Sequence, residues 1–157
     1  MKICGIDPGI RGGLAIVLVN DGAAPRLVDA IDIPVAGIGA KERVDVLALR
    51  EWLRIHQPDR AVIERAQVMP KQGSSSGFRY GRAVGAIEAS VSCSEIPLTI
   101  IEPTAGKKAH HLRGGDKESG RLLALQIFPS AHVSFGRKKD HGKSDAALIA
   151  LAEANHG

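Results

Sequence analysis

Hydrophobic and polar residues alternate along the chain with two periods, one typical of strands and one typical of helices. Near the N-terminus, apolar stretches predict strands at Lys2–Asp7, Gly13–Val19 and Leu27–Ile33. The links between them are short, and the link at Asn20–Ala23 is typical of a hairpin turn. Consecutive strands with short links pair antiparallel, so this part of the chain predicts a three-stranded meander.

The rest of the chain alternates between helical and strand patterns. The predicted helices are Glu42–His56, Ser75–Ser92, Lys117–Phe128 and Ser144–Ala152, the last with Ser144 as its N-cap. The predicted strands are Arg60–Ile63 and Leu98–Ile101, and the stretch Val35–Lys41, rich in Gly and Ala, is expected to be a loop. We therefore predict an α/β fold with a single domain over residues 1–157.

The composition narrows the class of protein. No apolar run is long enough to span a bilayer and the first residues enter a strand directly, so we expect a cytoplasmic protein with no membrane partner. The net charge is +4, and the basic residues cluster in the last third of the chain, which predicts a polyanionic partner. Cys4 and Cys93 lack the spacing of a metal site and are expected to be buried thiols.

Acidic residues stand at three places where apolar segments end or begin. Asp7 follows the first strand, Glu64 follows the fourth, and Asp140 and Asp145 precede the last apolar helix. If the first and fourth strands are parallel neighbours, Asp7 and Glu64 lie side by side, and a carboxylate on a facing helix completes a cluster. Such a cluster suits a hard divalent cation, above all Mg²⁺ or Mn²⁺.

Taken singly, each acid also has an ordinary structural explanation. Asp7 fits a turn or cap residue, and Glu64 fits a strand end that faces solvent. Asp145 fits the first turn of a helix, where it complements the helix dipole. Asp140 fits a loop position that balances the basic run before it.

The acids occur within three motifs whose order, together with two supporting segments, resembles that of one known family. The segments GIDPG, AVIER, GFRYGRAVGAIEA and KKDHGKSDAALIALA, with GGDKESGRLLALQIFP before the last, resemble the RuvC-type Holliday-junction resolvases of the RNase H-like superfamily. The similarity spans essentially the whole chain. It implies an RNase H-like fold, in which a mixed five-stranded sheet is flanked by α-helices.

The resemblance also implies an activity and a metal site. The chain would be a crossover junction endodeoxyribonuclease that uses two Mg²⁺ ions per active site, with Mn²⁺ as a substitute, and leaves a 5′-phosphate and a 3′-hydroxyl. Asp7 matches the first metal-binding acid of the family, Glu64 the second and Asp145 the last. Lys117 matches a basic residue that contacts the scissile phosphate and offsets its developing charge.

The fourth metal ligand of the family has no direct counterpart. It usually stands three residues before the last acid, and Gly142 occupies that position here. Asp140 is favoured instead, because a carboxylate is the harder ligand for Mg²⁺. His141 stays open as a metal ligand or a proton shuttle.

The implied partners are four-way junction DNA and a second copy of the chain, and branch-migration proteins stay open as further partners. Small residues along the helix Gly81–Ala89 indicate a close approach of backbones, either in a dimer or in the core. Many members of the family place an aromatic residue in the loop after the second acid, where it wedges into the junction. No aromatic residue follows Glu64 directly here, so Met69, Phe78 or Tyr80 would take that role. The expected DNA contacts are Met69, Lys71, Phe78, Arg79, Arg82, Lys107, Lys108, Lys117, Arg137, Lys138, Lys139 and Lys143.

Three other functions stay open at this point. The first is a nuclease for other branched DNA or for RNA on the same fold. The second is a junction-binding protein without catalysis, although the four intact acids argue against it. The third is the sugar-kinase or ATPase branch of the superfamily, whose two-domain size and second phosphate loop the chain lacks.

Overall fold

The computed structural model describes residues 1–65, 67, 73–102 and 117–154. Its strands are β1 Lys2–Asp7, β2 Gly13–Leu18, β3 Arg26–Asp32, β4 Val35–Ala36, β5 Arg43–Val44, β6 Arg60–Glu64 and β7 Leu98–Ile101. Its helices are α1 Val46–His56, α2 Ser74–Ser92, α3 Lys117–Ile127, α4 His132–Phe135 and α5 His141–Ala154. Within these ranges, no helix has the length and apolar character that crossing a membrane requires.

Five of the strands form one mixed sheet, as the sequence predicted. The strand order is β3-β2-β1-β6-β7. The first three strands pair antiparallel, which confirms the meander, and β6 and β7 run parallel to β1. Ile6 of β1 pairs with Ile63 of β6, so Asp7 and Glu64 end their strands at the same edge. We call this the carboxyl edge of the sheet.

Helices cover both faces of the sheet. Cys4, Ile6 and Ile63 point towards α1 and α2 in one buried cluster, whereas Ile3 and Val62 point towards α3, α4 and α5 in another. Side chains alternate between the faces of a strand. Asp7 and Glu64 therefore lie on the same face as Ile3 and Val62, which is the face that α5 covers.

The helix α5 lies directly on the backbone of the strands. A Cβ atom added at Gly5 would lie 1.9 Å from the carbonyl oxygen of Ala146, and one added at Gly13 would lie 2.5 Å from the backbone of Gly142. Only glycine in β1 and β2 permits this approach. The small alanine side chains of α5 also permit this close approach, and Ala146 and Ala150 are fully buried against the strands.

This close packing predicts a contrast between two glycine substitutions. We expect Gly5→Ala to destabilise the fold by about 1–3 kcal/mol or more, because the new methyl group meets backbone atoms that cannot rotate away. In a single chain, Gly85 in α2 has nothing within 4 Å of an added Cβ, so Gly85→Ala should stabilise the monomer by about 0.5–1 kcal/mol. Urea denaturation of both variants measures the difference, and equal midpoints would contradict the packing described.

Helix α1 begins later than the sequence predicted. The expected start was Glu42, but Arg43–Val44 form β5 and pair with Val35–Ala36, inside the expected loop. The side chain of Asp45 accepts a hydrogen bond from the Ala48 backbone N–H at 3.1 Å, so the helix begins after Asp45. Two-residue strands are too short for a readable period, which is why the prediction was wrong here.

Helix α5 begins earlier than predicted. Ser144 is not the N-cap but lies inside the first turn, and its hydroxyl donates to the carbonyl oxygen of His141 at 2.9 Å. A 3₁₀ turn at Lys138–Asp140 leads directly into the helix. The prediction missed this start because the first helical residues are polar and glycine-containing.

The two cysteines differ in their surroundings. Cys4 is fully buried in β1, as expected, and burial raises the pKa of its thiol to about 12. Cys93 is exposed just after α2, so the prediction of a buried thiol was wrong there. The end of a helix gave no apolar period from which its exposure could be read.

Candidate active site

Two carboxylates stand side by side at the carboxyl edge. Asp7 and Glu64 are the last residues of adjacent parallel strands, whose spacing is about 4.8 Å. Both side chains are partly exposed, and both lie on the face that α5 covers. The sequence predicted this pair from strand ends alone, and the sheet order brings the two residues together.

The start of α5 brings a third carboxylate to the same edge. A Cβ added at Gly142 would lie 2.8 Å from the backbone of Gly12, which places the first turn of α5 beside the loop that follows Asp7. Asp145 directly precedes Ala146, whose carbonyl oxygen faces Gly5 two residues before Asp7. A Cβ added at Gly120 would lie 3.2 Å from Asp145 Oδ1, so α3 lies close to this carboxylate as well.

The side chains of Asp7, Glu64 and Asp145 lie near one another at the carboxyl edge but do not converge on one point. Within the described parts of the chain, no three His, Cys, Asp or Glu side chains are close enough together to hold a metal ion as they stand. The fold therefore positions the backbones of the three acidic residues. Their side chains would have to turn towards a common centre to bind a cation.

Asp140 has surroundings that differ from those expected of a metal ligand. Its side chain is buried, with 1% exposed, and it accepts hydrogen bonds from the backbone N–H of Arg137 at 2.8 Å and from the Arg137 guanidinium at 2.8 and 3.1 Å. The Nζ atom of Lys143 lies 3.0 Å from Asp140 Oδ1. Burial acts to raise the pKa of Asp140, but these hydrogen bonds prevail and hold the pKa well below its ordinary value.

These contacts give Asp140 a structural task and change the role expected of Lys143. Lys143 was expected to contact DNA, but its side chain is only 8% exposed and its ammonium group binds Asp140. It is therefore not available to a phosphate in this arrangement. Arg137 keeps 60% of its side chain exposed while binding the same carboxylate. Together the three residues join the 3₁₀ turn before α5 to the first turn of the helix.

His141, the other candidate for the fourth ligand, lines the same cleft as Asp7. It is the first residue of α5 and is partly exposed. His141 and Asp145 are four residues apart in a helix, so they share one side of it. Of the two candidates, His141 is thus the one that faces the open cleft.

Tyr80 belongs to the site, although the sequence indicated it only as one of three candidate wedges. Its ring packs against Gly9, where an added Cβ would lie 3.2 Å from Tyr80 Cε2, and Gly9 has a φ of +113°. Burial and the charges of Asp7 and Glu64 raise the pKa of its phenol. No local pattern predicts this proximity, because the packing of α2 against the loop after β1 depends on the whole fold.

A cleft of about 820 Å³ extends from Asp7 between α2 and the β4–β5 hairpin. Arg79 and Arg82, which the sequence predicted as DNA contacts, line it from α2 and are exposed. Arg11 and Arg43 line it as well, but they were missed because they lie far from the basic last third of the chain.

The remaining predicted DNA contacts fall into two groups. Phe78 on α2 is 70% exposed, and Lys138 and Lys139 are exposed in the turn before α5. Lys117 is the first residue of α3. The predicted contacts Met69, Lys71, Lys107 and Lys108 lie outside the described residues.

Comparison with known proteins identifies relatives along most of the chain. Residues 3–126 match the family model of the crossover junction endodeoxyribonuclease RuvC. The RuvC protein of Alkalilimnicola ehrlichii is 32% identical over 132 residues, which cover 80% of this chain and 78% of that protein. The RuvC protein of Hahella chejuensis is 29% identical over 153 residues, which cover 96% and 86% of the two chains.

Solved structures share the fold. Thermus thermophilus RuvC in complex with a Holliday junction substrate superposes with a TM-score of 0.71 at 24% identity, over 98% of this chain and 93% of that one. The yeast mitochondrial Holliday junction resolvase Ydc2 gives a TM-score of 0.66 at 17% identity, over 96% and 76% of the two chains.

These matches confirm the fold that the sequence predicted, and they confirm the family that its motifs resemble. The family model covers the N-terminal GIDPG motif, the strand that ends at Glu64 and helix α2. The same matches confirm the expected class of enzyme, an endonuclease. This chain belongs to the RuvC family of crossover junction endodeoxyribonucleases.

Proposed function

We propose that the chain is a metal-dependent endonuclease that resolves four-way DNA junctions by paired symmetric cleavage. The observation that carries the proposal is the pair of carboxylates, Asp7 and Glu64, on adjacent parallel strand ends beneath the helix that brings Asp145. The enzyme would act in the cytoplasm, as a single RNase H-like domain over residues 1–157, in DNA recombination and repair.

The proposed metal ligands are Asp7, Glu64 and Asp145, with His141 as the fourth. The chemistry of this set fits a hard divalent ion, because carboxylate oxygens are the ligands that Mg²⁺ and Mn²⁺ prefer. Asp140 was the favoured fourth ligand on sequence grounds. Its hydrogen bonds to Arg137 and Lys143 support a different role, in which it holds the first turn of α5 in place.

Each part of the site has a task in the proposed reaction. When bound, two divalent ions would polarise the phosphodiester and supply an activated water for in-line attack. The three carboxylates and His141 fix that centre at the carboxyl edge. Tyr80 closes the side next to Gly9, and Arg79 and Arg82 of α2 contact the DNA. The products would carry a 5′-phosphate and a 3′-hydroxyl.

Paired cleavage requires two active sites, and the exposed side of α2 supports a homodimer. Ala83 points into the core, whereas Gly81, Gly85 and Ala89 are exposed. A Cβ added at Gly81 or Gly85 would meet nothing within 4 Å. The small residues therefore leave room for a close approach by a second subunit, rather than serving the packing of one chain.

A comparison of substrates tests the proposed function. We expect symmetric nicks in a labelled four-way junction in the presence of Mg²⁺, and at least about tenfold slower cutting of a flap, an RNA–DNA hybrid and a linear duplex of the same sequence. Faster cutting of the flap or the hybrid would favour another nuclease on the same fold. Binding of the junction without cutting, under these conditions, would instead favour a junction-binding protein.

A further inference from the structure

The cleft beside the active site has two walls, and one of them contains none of the DNA contacts that were predicted from the sequence. Helix α2 supplies Arg79 and Arg82 to one wall, and the β4–β5 hairpin supplies Arg43 to the other. Asp7 lines the same cleft, so the two walls are continuous with the proposed catalytic centre.

The charges in the cleft are not balanced by one another. Arg11 is paired with Glu42 at 2.8 Å, and the carboxylate of Asp45 caps helix α1. Arg43, Arg79 and Arg82 have no hydrogen bond from their side chains and no ion pair within the described residues. Three exposed guanidinium groups thus face a cleft in which the nearby carboxylates are already engaged or belong to the active site.

The residues that line the two walls favour binding of a polyanion over binding of a small apolar ligand. Guanidinium groups match phosphate oxygens in geometry and keep their charge at all physiological pH values. Exposed apolar residues line the same cleft, among them Leu47 in the first turn of α1, which is 79% exposed. A cleft that combines cationic and apolar groups suits a sugar–phosphate backbone, whose phosphates are charged and whose sugars are not.

We infer that the cleft between α2 and the β4–β5 hairpin seats the backbone of the DNA strand next to the cleaved bond, with Arg43 and Arg82 binding its phosphates from opposite walls. The inference rests on the proposed function, since it names how the same site holds its substrate. It extends the DNA contacts to the hairpin, which lies outside the basic last third of the chain.

The salt dependence of junction binding tests the inference. Each phosphate contact adds about 0.9 to the slope of log Kobs against log salt concentration. In the presence of a chelator, we expect the double variant Arg43→Gln/Arg82→Gln to lower this slope by about 1.8 for each subunit that contacts the junction, which is about 3.6 for a dimer, and to weaken binding roughly tenfold or more at 0.1 M NaCl. The charge-preserving variant Arg43→Lys/Arg82→Lys should keep most of the slope.

A matched control removes two arginines elsewhere. Arg26 and Arg54 are exposed and lie away from the carboxyl edge, at the start of β3 and near the end of α1. The variant Arg26→Gln/Arg54→Gln should bind with the wild-type slope. All four positions are exposed, so melting temperatures should stay within a few degrees of the wild type.

The possible outcomes separate the inference from the proposed function. If the wild type binds and cuts the junction but the Arg43/Arg82 variant keeps its slope, the cleft inference is overturned and the function stands. If the variant loses the dimer in sedimentation and its binding falls for that reason, the cleft is a subunit interface and the inference is again overturned. If the wild type neither binds nor cuts the junction, both fall together.

Discussion

Replacing Asp7 with asparagine is expected to abolish strand cleavage while leaving junction binding intact. The substitution keeps the size of the side chain and removes one negative charge from the pair at the carboxyl edge. Metal-assisted hydrolysis draws several kcal/mol of transition-state stabilisation from its ions. At about 1.4 kcal/mol per tenfold change in rate, loss of that metal site lowers the rate by roughly a thousandfold or more.

Asp32 offers a matched control for this experiment. In the sheet register, Asp7 pairs with Gly13 and Gly13 pairs with Asp32, so the two acids lie in one row across three strands. They are about 10 Å apart by the spacing of strands. Asp32→Asn removes the same charge two strands away and should cleave at close to the wild-type rate. If the Asp7→Asn variant cleaved the junction at the wild-type rate, the assignment of the metal site would be contradicted.

Replacing Asp140 with asparagine is expected to be among the most destabilising polar substitutions in the chain. It would leave the ammonium group of Lys143, only 8% exposed, without its carboxylate partner. Breaking a buried ion pair from one side costs about 3–5 kcal/mol. Urea denaturation measures the loss, and Glu51→Gln, which breaks an exposed pair with Arg54, is the control that should change little.

A second substitution separates stability from metal binding at Asp140. In Asp140→Asn/Lys143→Met, both charges are gone, and most of the lost stability should return because a buried ion pair is often no more stable than an apolar pair of similar volume. If the restored protein cleaves junctions, Asp140 acts through the position of α5. If it is as stable as the wild type but inactive, Asp140 contributes to the chemistry as the sequence suggested.

The carboxylate of Asp140 also makes the stability of the fold depend on pH in the acidic range. Because hydrogen bonds from Arg137 and Lys143 hold the pKa of Asp140 below its ordinary value, the ionised form is favoured by folding. Its contribution to stability is complete above the ordinary aspartate pKa of about 4 and is lost as the pH falls below that value. The free energy of unfolding should therefore fall more steeply below about pH 4 in the wild type than in the double variant.

Much of the fold follows from local pattern. The six residues of β1 and the seven of β3 have the apolar character of buried or half-buried strands, and the short links between β1, β2 and β3 dictate an antiparallel meander. The Pro58 residue that follows α1 marks its end, as it does for most helices. Two-residue strands and single-turn helices gave no such signal, so β4, β5, α4 and the 3₁₀ turn before α5 were missed.

In the candidate site too, local sequence patterns predicted some features, and others depend on tertiary packing. The placement of Asp7, Glu64 and Asp145 at the carboxyl edge could be predicted because each ends or begins an apolar element, and the order of the motifs matched a known family. The partners of Asp140 and Lys143 could not be predicted, since a charged residue is buried or exposed according to tertiary packing. The proximity of Tyr80 and Arg43 to Asp7 likewise depends on how α2 and the hairpin pack at the edge.

One measurement tests the central claim most directly: cleavage of an end-labelled four-way junction by the wild type, with Mg²⁺ and with a chelator in its place. The carboxylates at the carboxyl edge predict symmetric nicks with Mg²⁺ and none with the chelator, and recovery when Mn²⁺ is added. Equal cleavage under both conditions would contradict a metal site at Asp7, Glu64 and Asp145.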